Sequence, residues 1–172
     1  MNRGKFCVLA LLGLSMTLVV SGVLYRRSTS RPVIAWWGIE AVELVRTAPE
    51  AELLVLERRS DAATGREPPA DEDLRAIGAT VYRVDRRIAL SSRPGFVHLR
   101  HALLEAVTYR FEKRLPDRLE FRYALRFRDG DRHVEFLFDP VRAVMADGEG
   151  DHRVVLGAVG KRMKKYLDEQ AR

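Results

Sequence analysis

A chain of 172 residues that is 47% hydrophobic and 31% charged has the length and composition to bury one real core, which excludes an intrinsically disordered protein. Its formal charge of +6 invites a nucleic-acid reading, yet no acidic residue precedes Glu40, whereas Arg3, Lys5, Arg26 and Arg27 all lie in the first 27 positions. Behind those four, 26 basic residues face 24 acidic ones, and a nearly neutral domain speaks against nucleic acid as a partner.

Residues 1–27 read as a basic head and a membrane anchor. Phe6 to Tyr25 is an uncharged apolar run with basic residues on both sides. As a helix it reaches about 30 Å, the hydrocarbon thickness of a bilayer. The expectation is a single-pass protein of a bacterial cytoplasmic membrane. The alternative is a signal peptide cleaved near Val20-Ser21-Gly22, with the remainder secreted. Cys7 lies at the wrong end of the run for a lipid-modified cysteine and is the sole cysteine. The domain behind it therefore has no disulfide, thiolate zinc site or cysteine nucleophile. Arg3 and Lys5 nearly balance Arg26, Arg27 and Arg31, so loop charge does not orient the span. A short basic head ahead of a first span puts the domain outside the cytoplasm.

Residues 28–40 are expected to be a linker, within which Trp36-Trp37 are either interfacial anchors or the first core residues. An α+β domain is expected over 41–172. Its first elements are strands at Val42 to Arg46 and Glu52 to Glu57, the second of which also permits a short helix. A mobile loop over 58–73 follows, with two prolines and no apolar period. "TVYRVDRRIALS" predicts a long strand with Tyr82, Val84, Ile88 and Leu90 on one side, interrupted at Arg86.

Phe96 to Phe111 predicts the longest helix of the domain. Phe96, Leu99, Leu103, Ala106 and Val107 share one face, and His98, His101, Glu105 and Thr108 the opposite one. In "EFRYALRFRDGDRHVEFLFDP" aromatic and aliphatic residues take every second position around Asp129-Gly130, a strong hairpin turn. That turn pairs Leu125 with Val134, Tyr123 with Phe136 and Arg126 with His133, leaving the arginines as the solvent face. "VRAVMA" and "HRVVL" form another hairpin around "DGEGD". A basic amphipathic helix using Val159, Met163 and Leu167 closes the chain. The order predicts an α+β fold: an N-terminal transmembrane helix, then an antiparallel sheet of about five to seven strands packed by one long helix and a C-terminal helix.

Three constellations bear on chemistry. His98, His101 and Glu105, at helical spacings of three and four, could present two imidazoles and a carboxylate to zinc or another divalent metal. Leu99 stands where a zinc-protease glutamate would be. Asp147-Gly148-Glu149-Gly150-Asp151 resembles the start of a calcium loop but has His152 and Ala158 where glycine and glutamate belong, so it reads as a hairpin turn. "KRMKK" near the C-terminus could meet anionic lipid, or be a solvated face that suits the helix dipole. Aromatic residues and arginines fall on opposite sides of the central hairpin, so one surface cannot both stack bases and bind phosphates.

"LRHALLEAVTY" followed by "YALRFRDGDRHVEFLFD" resembles a set of small bacterial proteins of unknown function, in which a leucine-rich helix precedes a strand pair of this type. The resemblance covers residues 96–140. It implies an uncharacterised domain and carries over no catalytic residues. Several of those proteins have cysteines after the second strand, where Asp139-Pro140 stands here. The sequence thus predicts a membrane-anchored extracytoplasmic domain that binds or supports another envelope protein and is not an enzyme. It calls for no cofactor and no nucleic acid, with a metal-binding protein or metal-dependent enzyme at His98, His101 and Glu105 as the alternative.

Overall fold

A computed structural model describes residues 13–17, 31–59, 73–78, 80–111, 115–116 and 118–172. Of the expected membrane span at 6–25, residues 13–17 are helical, and the Thr17 hydroxyl donates to the Gly13 carbonyl at 2.8 Å. The rest of that run, the signal-cleavage site and most of the loop expected at 58–73 lie outside the described residues. Among the described residues no helix is long and apolar enough to cross a membrane.

The domain is α+β, built on one antiparallel sheet of eight strands. The strands are β1 (Glu50–Arg58), β2 (Leu74–Ile77), β3 (Thr80–Ala89), β4 (Tyr109–Arg110), β5 (Tyr123–Asp129), β6 (Arg132–Asp139), β7 (Val144–Asp147) and β8 (Arg153–Leu156). They lie in the order β2-β3-β1-β5-β6-β7-β8-β4. The helices are α1 (Ile39–Thr47), α2 (Phe96–Leu104) and α3 (Val159–Gln170). Residues 31–37 are also helical, and Gly38, at φ +83°, separates them from α1.

Three local readings change. The segment expected as a strand at Val42 to Arg46 is α1. Buried Val42 and Val45 are three apart, a helical spacing, and Glu40, Ala41, Glu43 and Leu44 favour a helix. The helix ends where Ala48, held at ψ 127° ahead of Pro49, leaves the α region. The long helix stops at Leu104 rather than Phe111. There the Thr108 hydroxyl donates to the Ala102 carbonyl (2.6 Å) and the Tyr109 hydroxyl to the Leu103 carbonyl (2.7 Å). These bonds satisfy carbonyls that a helix end leaves open. The β-branched and aromatic "VTYRF" then turns through a short 3₁₀ segment, Ala106–Thr108, into edge strand β4. Val107, expected on the buried face, is exposed.

The β5–β6 turn is Gly130-Asp131, with Asp129 opposite Arg132. Only Gly130 of the two has positive φ, the pattern of a type II′ rather than a type I′ turn. Each pairing slides by two residues, so Leu125 meets Phe136, Tyr123 meets Phe138 and Arg126 meets Glu135. Two residues are one full pleat repeat, so every side chain keeps its expected face.

The sheet buries both faces. Leu53, Leu125, Phe127, Phe136, Phe138 and Met145 face a large core shared with Val42 and Val45 of α1, Phe96, Leu99 and Leu103 of α2, and Met163 and Leu167 of α3. The opposite face packs Leu54, Leu56, Ile77, Tyr82, Phe121, Ala124, Leu137 and Ala146 together. A bulge at Asp85, where Val55 pairs with Arg86 but Leu56 with Val84, splits the expected stripe of β3. Tyr82 and Val84 join the second cluster, whereas Ile88 packs against the first.

This second face is concave. β2 and β6 lie four strand steps apart, about 19 Å in a flat sheet, yet Arg75 of β2 is ion-paired with Glu135 of β6. At the far side, a Cβ on Gly150 in the β7–β8 turn would lie 3.0 Å from Ile77 of β2. Only a curled sheet brings these residues together.

Candidate functional site

His98 and His101 stand one turn apart on α2 and are exposed. Glu105, expected beside them, falls just past the last helical residue with extended backbone (φ −100°, ψ 125°). Among the described residues no group of three or more His, Cys, Asp or Glu side chains is placed to hold a metal ion. In the calcium-like loop, Asp147 turns inward on its own hairpin. Its carboxylate accepts from the Asp151 N–H and meets the His152 ring, each at 2.8 Å. Burial alone would raise the Asp147 pKa, but the His152 ring and the backbone N–H groups of Asp151, His152 and Gly150 hold it below the usual carboxylate range.

Of the arginines expected as a solvent face, Arg122, Arg128 and Arg132 are exposed, whereas Arg126 is half-buried and, with Arg75 of β2, closes the concave side of the sheet. Glu135, 7% exposed, is gripped by Arg126 at 3.0 Å and by Arg75. Gly148 stands where a Cβ would lie 3.4 Å from that of Glu135, so the β7–β8 turn covers the carboxylate. Two guanidiniums hold Glu135 as an acceptor, and a carboxylate so held is a clasp between β2, β5 and β6. The observed register is the signal that finds it: a carboxylate in the apolar "VEFLF" has an arginine directly across the strand.

The other end of the domain is organised around the entering chain. Val33 is completely buried. The Trp36 ring lies 5.3 Å from Phe111, and Trp37 lies 5.0 Å from Phe136 and 6.0 Å from Tyr109. The half-buried tryptophans therefore pack against the core, and residues 31–37 of the segment expected as linker begin the packed domain. Burial pushes the Tyr109 hydroxyl far above the usual range for tyrosine. Arg100 of α2 donates to the carbonyls of Arg46 (3.3 Å) and Ala48 (2.7 Å), with its guanidinium 4.8 Å from the Phe96 ring centre. It thus caps the C-terminal end of α1, and desolvation lowers its pKa.

Turn and helix junctions complete the frame. Asp139, fully buried at the end of β6, accepts from the N–H groups of Glu120, Val141 and Arg142, each at 2.9 Å, and from the Arg142 side chain at 3.2 Å. The Tyr123 hydroxyl donates to Asp168 at 2.6 Å, and Lys164 pairs with the same carboxylate. Desolvation and the Asp168 bond push Tyr123 up to about 12. Asp168 is held low by Lys164 and Tyr123, against desolvation that would raise it.

No protein-family model, curated protein or solved structure matches this chain.

Proposed function

We propose that the protein is a single-pass membrane protein whose α+β domain stands outside the cytoplasm and binds or supports another envelope protein. One observation carries this reading. The chain behind the apolar run at 6–25 enters the domain through residues 31–37, whose Val33 belongs to the core and whose Trp36 and Trp37 pack against it. A flexible tether would leave the domain free to wander. An entry segment packed against the core leaves only positions 26–30 between the apolar run and the domain, which keeps the domain close to the membrane and its neighbours.

The test is fractionation of the full chain carrying a C-terminal tag, followed by protease treatment of spheroplasts. The expected result is a membrane-bound, full-length protein that resists high salt and is digested from outside. A soluble product would favour cleavage and secretion. A domain protected from external protease would put it in the cytoplasm and sink the envelope reading.

A further inference from the structure

We propose that the corner where α3 begins, beside edge strand β4, docks on a bilayer surface carrying anionic phospholipid. This rests on the anchored reading above. Lys161 and Arg162 are exposed in the first turn of α3, which has no acidic residue and no side-chain cap. Cations there oppose the helix dipole instead of complementing it. The dipole-friendly reading of "KRMKK" is thereby corrected, because the helix starts at Val159 and its acids, Asp168 and Glu169, lie at the other end. Lys164 and Lys165 pair with those acids. Among the described residues, Lys161, Arg162 and Arg110 have no ion pair.

The strand ends bring Arg110 beside the segment that leads into α3. A Cβ on Gly160 would lie 2.8 Å from that of Ala143 and 3.1 Å from that of Leu156, the last residue of β8. One on Gly157 would lie 3.6 Å from Nε of Arg110 and 3.5 Å from the Val107 carbonyl oxygen. Val107 and Val141, on the segments flanking this junction, are each 79% exposed. Two bare aliphatic side chains among unpaired cations match a headgroup layer, which offers phosphates outside and acyl chains beneath.

The route of the chain brings this corner to the membrane. From Tyr25 to Arg31 there are six peptide steps, about 20 Å at most, less than the diameter of a domain whose radius of gyration is about 14 Å. The side on which the chain enters must therefore face the bilayer. Arg31 lies about 7.5 Å along the helix from Trp36, and Trp36 packs on Phe111, the neighbour of Arg110. The entering helix and the basic corner thus share the β4 edge.

The experiment uses the full chain with Cys7→Ser, reconstituted in phosphatidylcholine vesicles with or without phosphatidylglycerol. A fluorophore is placed at Val107→Cys, Val141→Cys or, as control, Asp131→Cys in the β5–β6 turn, at the opposite end of β6 and about 25 Å away. The readout is quenching by nitroxide-headgroup lipid. Positions 107 and 141 should be quenched in phosphatidylglycerol vesicles and position 131 should not. Replacing Arg110, Lys161 and Arg162 by Ala should lower the docked-to-undocked ratio about fivefold per cation, roughly a hundredfold together. High salt on the unsubstituted chain should act in the same direction. Equal quenching at all three positions, or quenching indifferent to phosphatidylglycerol, overturns the proposal. So does self-quenching between labelled chains in place of lipid quenching, which would assign the corner to a second copy. A chain that fails to float with vesicles removes the anchor itself, whereas one that floats with an unquenched corner removes only the docking.

Discussion

Val33→Ala decides whether the segment leaving the apolar run is a linker or part of the fold. Val33 is 0% exposed, so the substitution removes two fully buried methyl groups. At about 0.8 kcal/mol each, the transfer loss is about 1.6 kcal/mol. An unrelaxed cavity adds about 0.5–1 kcal/mol, giving a loss of about 2–3 kcal/mol in all. Trp36 and Trp37, the two tryptophans of the chain, pack within this same region, so their fluorescence reports its unfolding. Urea unfolding of the full chain in detergent should show a midpoint lowered by about 1 M, given a slope of about 2 kcal/mol per M. Ala35→Ser, on the exposed side of the same helical segment, should stay within about 0.5 kcal/mol of the parent. If Val33→Ala also stays within about 0.5 kcal/mol, residues 31–37 are not part of the cooperative unit. The argument for a domain held close to the membrane then fails.

Three further outcomes are expected. Gly160→Ala forces a Cβ to 2.8 Å from that of Ala143, which sits at φ +51° on the facing turn; overpacking should cost about 1–3 kcal/mol, seen as a lower melting temperature. Asp139→Ala removes a buried acceptor from three N–H groups and Arg142 and should cost about 3–5 kcal/mol; a loss below about 1 kcal/mol would mean water replaces the carboxylate. The Tyr123–Asp168 bond gives opposite pH signs. Tyr123 is raised to about 12, so its contribution is full below pH 10 and lost between about pH 10 and 12. Asp168 is lowered, so its contribution is present above its unfolded pKa near 4 and lost as pH falls through the folded value. Tyr123→Phe should flatten the alkaline limb of a stability profile and Asp168→Asn the acid limb, and unchanged limbs would refute the assignment.

The fold class and the faces of the central hairpin were legible in the sequence. Side-chain alternation in a strand has period two, so Leu125, Phe127, Phe136 and Phe138 declared a common side even with the register wrong by one pleat repeat. The buried positions Phe96, Leu99 and Leu103, and likewise Met163 and Leu167, followed from a period near 3.6 in the same way. Local pattern did not decide where elements stop. α2 gives way at Leu104 because Thr108 and Tyr109 satisfy its last carbonyls and β8 offers an edge to "YR". The same early stop makes Glu105 the C-cap of α2 rather than a residue within the helix that carries His98 and His101.

What only the tertiary structure decided is what lies across the sheet. A charge such as Glu135 carries no sign in the sequence of whether water or an arginine surrounds it. Its partner Arg75 is 60 positions away, on a strand four steps distant, and meets it because the sheet curls. Trp36 and Trp37 read equally well as lipid anchors or core, because an indole suits both surroundings. Contacts with Phe111, Tyr109 and Phe136 pack them against the core. Composition and periodicity report what each segment prefers against water. Long-range contacts choose among those preferences, since the free energy of burial depends on which surfaces the whole chain brings together.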